Sequence, residues 1–568
     1  MGGIISCCGT ADKEYQPLLA DQERQAVAAL VKLFETDTRI SFYDGPALQA
    51  LTVLAHSDVH HLQLSAATAF SEISEYDVRA VDREALEPIV YLLQAAHADV
   101  QQAAAAALGN LAGDTANRRL VVELGAVQHL VRQMLAPGAD SQINAVGCIT
   151  NLAGDDENKL RIARSGALPP LVRLARSRDL RVQRNAAGAL LNMTHRAEVR
   201  RLLVDAGAVA ALAELVQARD DDTLYYAATA LSNIAVDAEG RNAMCALHML
   251  VPQLLSALQT RHPRVQAQVA LTLRNMASDT HFQLHIVEEG ALDTLLPLLH
   301  SPHMPLAVSA AACLRNLSIH AANEAPIVVA GLVPELLDLA VDAANPDMQC
   351  HAIAAVRNLA ANSGDKQALL DAGLLDRLGA ALNTKCSQAR AELAAAFSVF
   401  ALNDQLWRPV VERGLCGPLA RLLRCGHADA ELSACLALGA LAGRRSEAVE
   451  ELLRLWPRGL RDGLAQQLTE SASDAARSAA LWLIAALLAG RPGQARRVLT
   501  ADAALLAAVE ACAATREPSK PWALLPAIFT GHGTEPADDD STTVASTHEA
   551  QRVQSLARQI LDQIRDSS

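Results

Sequence analysis

Aromatic side chains are scarce in this chain: Phe, Trp and Tyr together make up 3% of 568 residues. Apolar residues nonetheless reach 51%, so the core must be built from Ala, Leu and Val. Such a core suits closely packed helices, because Ala and Leu rank high in helix propensity. Strands would draw on β-branched and aromatic residues instead. Positive charge is also in short supply. The formal net charge of −14 argues against nucleic acid as a partner and against a generally polybasic role, while leaving room for a local basic patch. Long apolar runs are missing too. The most apolar stretch, ALWLIAALLAG at 480–490, lies between Arg477 and Arg491 and is too short to span a bilayer. Residues 1–25 lack the uninterrupted apolar segment of a secretory signal. None of the eleven cysteines forms a C-x-x-C pair. Nine are expected in helical segments, as reduced thiols serving as small hydrophobes on the cytosolic side. G-x-S-x-G, H-E-x-x-H, a P-loop glycine pattern and Cys/His metal spacing do not occur. The seventeen histidines are scattered. A catalytic protein would need a titratable constellation that the sequence does not offer, so the expectation is no enzyme, no cofactor and no metal.

What the chain has in abundance is repetition. ALGNLAG, CITNLAG, ALLNMTH, ALSNIAV, TLRNMAS, CLRNLSI and AVRNLAA carry Asn110, Asn151, Asn192, Asn233, Asn275, Asn316 and Asn358, spaced by 41 or 42 residues. A second series keeps the same phase: Gly125, Gly166, Gly207, Met249 in a glycine slot, then Gly290, Gly331, Gly373 and Gly414. Weaker copies flank these. Glu72 takes the asparagine slot upstream; Val399, Ala440 and Leu483 take it downstream. A chain of this length usually means several domains, but two in-phase series mean one repetitive object. Each unit parses into a short helix, a glycine bend, a second helix and a longer third helix. One such unit cannot bury its apolar face alone, so neighbours must stack. The period excludes tetratricopeptide and ankyrin repeats. The short first helix, the bend glycine and the Asn-Leu-Ala ending resemble armadillo repeats specifically. The expected fold is an all-α armadillo solenoid, a right-handed superhelix of about 11–12 repeats over 23–515. Residues 1–22 form an N-terminal extension. Residues 516–547, with four prolines and ADDDSTT, read as a linker. In 548–568, Val553, Leu556, Ile560 and Ile564 share one helical face, which would cap the last repeat or serve self-association.

Positions 0, −4 and −7 from each repeat asparagine share a face of the third helix. The −4 row is Ala106, Gly147, Gly188, Thr229, Leu271, Ala312 and Ala354; the −7 row is Ala103, Asn144, Asn185, Tyr226, Gln268, Ser309 and His351. Mostly small or polar, this face is unlike a core stripe and is expected to line a concave groove. Packed helices sit roughly 8–10 Å apart and an extended peptide advances about 3.3 Å per residue. Asn151, Asn192, Asn233, Asn275, Asn316 and Asn358 could therefore meet a peptide backbone at about every third residue, offering both donor and acceptor. The same amides could instead tie each repeat to the next. At position −1 stand Gly109, Thr150, Leu191 and Ser232, then Arg274, Arg315 and Arg357 in three consecutive repeats, then Ser398. Arginine pairs with carboxylates through two parallel hydrogen bonds, so a partner with an acidic or carbonyl-rich extended segment is expected. Pairing within the chain is the alternative. An importin-like receptor, which reads basic signals with tryptophans and acids, is disfavoured: Trp407, Trp456, Trp482 and Trp522 all lie outside the seven asparagine repeats.

The first residues, MGGIISCC, satisfy M-G-x-x-x-[ST], the pattern for N-myristoylation at Gly2. One myristoyl chain binds membranes only marginally and needs a second signal. Residues 9–24 carry a net −2, so that signal cannot be polybasic. Cys7 and Cys8, as S-palmitoylation sites, are the remaining candidates. An acylated Gly-Cys-Cys start on an armadillo solenoid resembles the vacuolar protein 8 family of fungal vacuolar membranes. REALEPIVYLLQ, NAVGCITNLA, RVQRNAAGALLNMTH, ALSNIAVD, RNMASDT, QCHA, AVRNLAA, ALW and the terminal RQIL carry the likeness, most closely over 45–365. The resemblance implies a lipid-anchored scaffold on the cytosolic face of the vacuole. Its groove would receive extended segments of alternative adaptor, membrane-contact and autophagy proteins, with roles in vacuole inheritance, nucleus–vacuole junctions, selective autophagy and vacuole fusion. An acylated armadillo adaptor at another membrane, such as the plasma membrane, is the alternative.

Overall fold

A computed structural model describes residues 21–36, 41–362, 364, 366–444, 446–469, 473–514 and 552–564. Gly2, Cys7, Cys8 and the whole of the expected linker, 516–547, lie outside the described residues. Among the described residues the chain is helical throughout, without a strand, and it divides into two units, 1–279 and 280–568.

Repeat 155–193 shows why this sequence builds three helices. Asp155 accepts hydrogen bonds from the amides of Glu157 and Asn158 and so starts the helix Asp156–Arg164. That satisfies two of the amides left without partners at a helix N-terminus. Gly166 then turns the chain at φ +84°, a left-handed conformation that costs glycine least. Leu168–Leu174 follows, with prolines in its first turn where the missing N–H is no loss. Asp179 caps the third helix, Leu180–Met193. The bend recurs at Gly125, Gly207, Gly290, Gly331, Gly373 and Gly414, all at positive φ. Met249 is the exception. It adopts φ −85° and lies exposed, and the turn is closed instead by the amides of Leu247 and Leu250 donating to the carbonyls of Met244 and Leu247.

The third helices are α1 (His60–Tyr76), α2 (Ala98–Leu111), α3 (Ala139–Leu152), α4 (Leu180–Met193), α5 (Asp221–Ile234) and α6 (Pro263–Met276) in the first unit. In the second they are α7 (Met304–Leu317), α8 (Pro346–Ala361), α9 (Ser387–Leu402), α10 (Ala428–Arg444) and α11 (Asp474–Gly490). Within each unit, successive members pack side by side. Alanines such as Ala104, Ala105, Ala186 and Ala187 are completely buried between them, and their small volume is what lets the helices approach. The core is therefore supplied mainly by Ala, Leu and Val; its fully buried aromatics include Phe70, Phe282, Phe397 and Phe400, the last two packed edge to face at 5.1 Å.

A second asparagine series, seven residues after the first, clips the repeats together from inside. Asn117 Nδ2 donates to the carbonyls of Arg79 (2.8 Å) and Leu111 (3.0 Å). Asn158 does so to Arg118 (2.9 Å) and Leu152 (3.2 Å), and Asn323 to Gln283 (2.7 Å) and Leu317 (2.9 Å). One repeat later the bridge is ionic. The fully buried Lys366 donates to the Leu359 carbonyl (2.7 Å) and pairs with the Glu324 carboxylate.

Two details differ from the sequence reading. Seven of the nine described cysteines are helical; Cys386 is the N-cap of α9, where its sulfur accepts from the Ala389 amide, and Cys425 sits in a turn. A thiol can act as a weak cap, a role that hydrophobic patterning does not reveal. The helix at 552–564 buries Val553, Ala557, Ile560 and Leu561, leaving Leu556 and Ile564 partly exposed. Its polar tethers set that rotation. Gln554 Nε2 donates to the Ala513 carbonyl (3.3 Å), and Arg496 donates to the Gln563 carbonyl.

Candidate peptide-binding groove

Apart from Asn316, the repeat asparagines use their amide nitrogens to reach back to the preceding repeat. Asn151 donates to the Gly109 carbonyl (2.8 Å), Asn192 to Thr150 (3.0 Å) and Asn275 to Ser232 (3.0 Å). Asn233 donates to Thr194 Oγ1 (2.8 Å) and Asn358 to the Arg315 carbonyl (3.1 Å). The repeat-tying reading thus holds for the amide N–H. It leaves the amide oxygen turned outward on side chains that, for Asn151, Asn192, Asn233, Asn275 and Asn358, remain exposed or half-buried. Asn316 differs. It is 6% exposed, and its Oδ1 accepts from Arg315 Nε (3.1 Å) and Nη2 (2.9 Å).

In the first unit the expected groove rows come together. Glu75, Ala105, Ala106, Gly109 and Asn110 face Ile143, Asn144, Gly147, Thr150, Asn151 and Asn185 around an open cavity of about 430 Å³. Positions 0, −1 and −4 of α2 and positions 0, −1, −4 and −7 of α3 contribute. Cys148 lies beneath; burial pushes its thiol up to about 12, so it packs as an inert hydrophobe. The glycines matter here for the space they leave. A Cβ at Gly147 would meet only Asn185 Nδ2, at 3.8 Å, and one at Gly109 only Cys148, at 3.6–3.7 Å.

The arginines are differently placed. Arg274 ends α6 in the first unit and is half-buried. Arg315 and Arg357 sit on α7 and α8 of the second. Besides gripping Asn316, Arg315 reaches His351 Nδ1 (3.4 Å). Arg357 Nη1 pairs with Glu392 Oε2 at 2.9 Å, with the two side chains 27% and 24% exposed. Glu392 comes from the −7 position of α9, so the groove row itself supplies the counter-ion. Pairing within the chain, the alternative weighed from sequence, is what Arg357 shows. The sequence reading missed Glu392 because the asparagine that would have flagged its repeat is Val399.

Comparisons with known proteins agree with this architecture. The armadillo/beta-catenin-like repeat family model matches residues 79–113, 114–154, 155–195, 196–236 and 279–319. The gap between its matched repeats, 237–278, is the repeat whose bend residue is Met249. Vacuolar protein 8 of Schizosaccharomyces pombe is 51% identical over 498 residues, covering 87% of this chain and 90% of that one. The Candida albicans and Saccharomyces cerevisiae proteins of the same name are 50% and 47% identical, over 91% and 86% of this chain and 90% and 85% of theirs. The chain belongs to the vacuolar protein 8 family. Among solved structures, the crystal structure of an engineered protein superposes with a TM-score of 0.63 at 28% identity, covering 69% of this chain and 98% of that one. The family's fold is therefore the armadillo fold expected from the asparagine and glycine series. Among the described residues no His/Cys/Asp/Glu cluster could hold a metal ion, and no helix is long and apolar enough to cross a membrane.

Proposed function

We propose that this chain is a non-catalytic armadillo scaffold held on the cytosolic face of the vacuole by acyl chains. Gly2 would carry a myristoyl group, and Cys7 and Cys8 palmitoyl groups. The observation that carries the vacuolar assignment is identity near 50% across most of the chain to several fungal proteins named for the vacuole. The lipid anchor follows from the M-G-x-x-x-S start and from the need for a second signal beside one myristoyl chain.

The groove binds extended segments of alternative partners. The outward amide oxygens of the repeat asparagines accept from the peptide backbone, while Arg274, Arg315 and Arg357 receive carboxylates or carbonyls. Competition between partners for the groove would couple vacuole inheritance, nucleus–vacuole junctions, selective autophagy and vacuole fusion. Gly2→Ala should release the protein from membranes in cell fractionation; persistence on the vacuole would remove the anchor from this account. Replacing Arg274, Arg315 and Arg357 together with Ala should strip a defined set of proteins from complexes purified from fungal cells. Recovery of an unchanged set would remove the arginines.

A further inference from the structure

Four amides in the first unit are oriented alike. Asn110 Nδ2 donates to Ser74 Oγ (3.1 Å), Asn144 Nδ2 to the Gln102 carbonyl (3.3 Å), Asn151 Nδ2 to the Gly109 carbonyl (2.8 Å) and Asn185 Nδ2 to the Ile143 carbonyl (3.4 Å). A carbonyl can only accept, so in three of the four the nitrogen must be the inward atom and the oxygen the outward one. Among the described residues, no donor meets any of these four Oδ1 atoms. All four residues line the cavity of about 430 Å³ between α2, α3 and α4, and Glu75 is part of the same lining. Thr150, also in the lining, directs its hydroxyl proton to the Val146 carbonyl (2.8 Å) and presents lone pairs. No Lys, Arg or His contributes. The side chains of the cavity therefore accept hydrogen bonds and offer one carboxylate.

We propose that this cavity is a subsite for a cationic side chain, a lysine ammonium or an arginine guanidinium, carried on an extended segment of a partner protein. Those two groups are pure donors, with three and five N–H bonds, and hydrogen bonds with an ionised member are roughly twice as strong as neutral ones. The inference goes beyond the arginine reading above. It gives the α2–α4 stretch of the first unit a taste for positive charge, where Arg315 and Arg357 in the second unit favour negative charge. The slot that distinguishes the two is position −1, glycine at Gly109 and arginine at Arg315 and Arg357.

The test is fluorescence polarisation with the full chain and three labelled decapeptides, alternating serine with arginine, with citrulline or with glutamate. The arginine peptide should bind about tenfold more tightly than the citrulline peptide, and Glu75→Gln should narrow that gap. Gly147→Val fills the cavity without altering net charge, and the Cβ position is open, so it should weaken the arginine peptide about tenfold. Gly109→Arg, which puts into the cavity the residue of the second unit's slot, should reverse the preference between arginine and glutamate peptides. Circular dichroism confirms that each variant folds. Equal binding of arginine and citrulline peptides overturns the proposal. So does an arginine-peptide affinity unmoved by Gly147→Val, because general attraction to an acidic protein would ignore that change. Arg315→Ala with Arg357→Ala should weaken only the glutamate peptide. Failure there sinks the arginine reading and leaves the cavity result standing.

Discussion

The two units solve one problem, joining a repeat to the next, with different chemistry. In the first, Asn117 and Asn158 bridge neighbours through neutral amide–carbonyl bonds, and the groove above keeps open glycines and outward acceptors. In the second, Asn323 does the same, but the following repeat buries an ion pair, Lys366–Glu324, and the −1 slots of α7 and α8 hold arginine, as that of α6 does at the end of the first unit. The difference teaches that the repeat fixes where a bridging group must sit and leaves its charge open, with consequences for how each junction fails. Removing one partner of a buried ion pair leaves the other charge uncompensated and costs about 3–5 kcal/mol. Lys366→Met should therefore destabilise the protein more than loss of any of the neutral bridges. Trp407, Trp456, Trp482 and Trp522 all fall in the second unit and none in the first. The loss should thus appear as a lower denaturant midpoint by tryptophan fluorescence. A midpoint within error of wild type would show that the pair is dispensable.

Asn158→Ala probes the neutral version of the joint. It removes the amide that joins the Arg118 and Leu152 carbonyls in a site where Asn158 is 1% exposed, at about 1–3 kcal/mol for the two bonds together. If the units unfold separately, as quasi-one-dimensional repeat arrays can, circular dichroism should register the change while tryptophan fluorescence stays put. Coincident shifts in both signals would mean that the units melt as one.

What was legible in the sequence follows from the same contrast. The bend glycines and repeat asparagines announce themselves because they recur with a fixed period and a single cause each: φ near +80° and an amide reaching to the previous repeat. The internal bridge was less visible. Asn117, Asn158 and Asn323 do lie at a constant offset of seven from Asn110, Asn151 and Asn316, a signal that a second pass for periodicity could find. Val199 and Phe282 hold that offset in other repeats, and Lys366 sits one residue out of step, so the series looks broken until burial reveals its common role. Side-chain pairing was invisible for a different reason. Arg357 and Glu392 are 35 residues apart, and only the stacking of α8 on α9 makes them neighbours.

Acid should distinguish junctions by their carboxylates. In the first unit, hydrogen bonding to Arg184 holds Asp220 down to about 2, against about 3.9 in an unfolded chain. The folded state thus favours the ionised carboxylate. Its contribution is complete above pH 4 and fades as pH falls from about 4 towards 2. Because Arg184 is 44% exposed, solvent screening keeps this to about 1 kcal/mol or less. Asp220→Asn should flatten the corresponding part of the stability–pH curve between pH 4 and 2, measured by urea unfolding. An unchanged slope would show that other carboxylates govern the acid limb.

The smallest effect expected concerns Glu392, which separates a groove arginine already satisfied from one available to a partner. The carboxylate holds Arg357 at 2.9 Å, so an incoming acid must displace it or share the guanidinium. Glu392→Gln keeps the side-chain shape, removes the competing charge, and should tighten binding of the glutamate decapeptide about threefold, or roughly 0.7 kcal/mol. Since Arg357 is only about a quarter exposed, the gain should shrink with added salt more slowly than for a fully solvated pair. The same variant should leave the arginine decapeptide unaffected, because the cavity proposed for it lies in the other unit. A weaker glutamate complex would reverse the interpretation and make Glu392 the group that holds Arg357 in its binding posture.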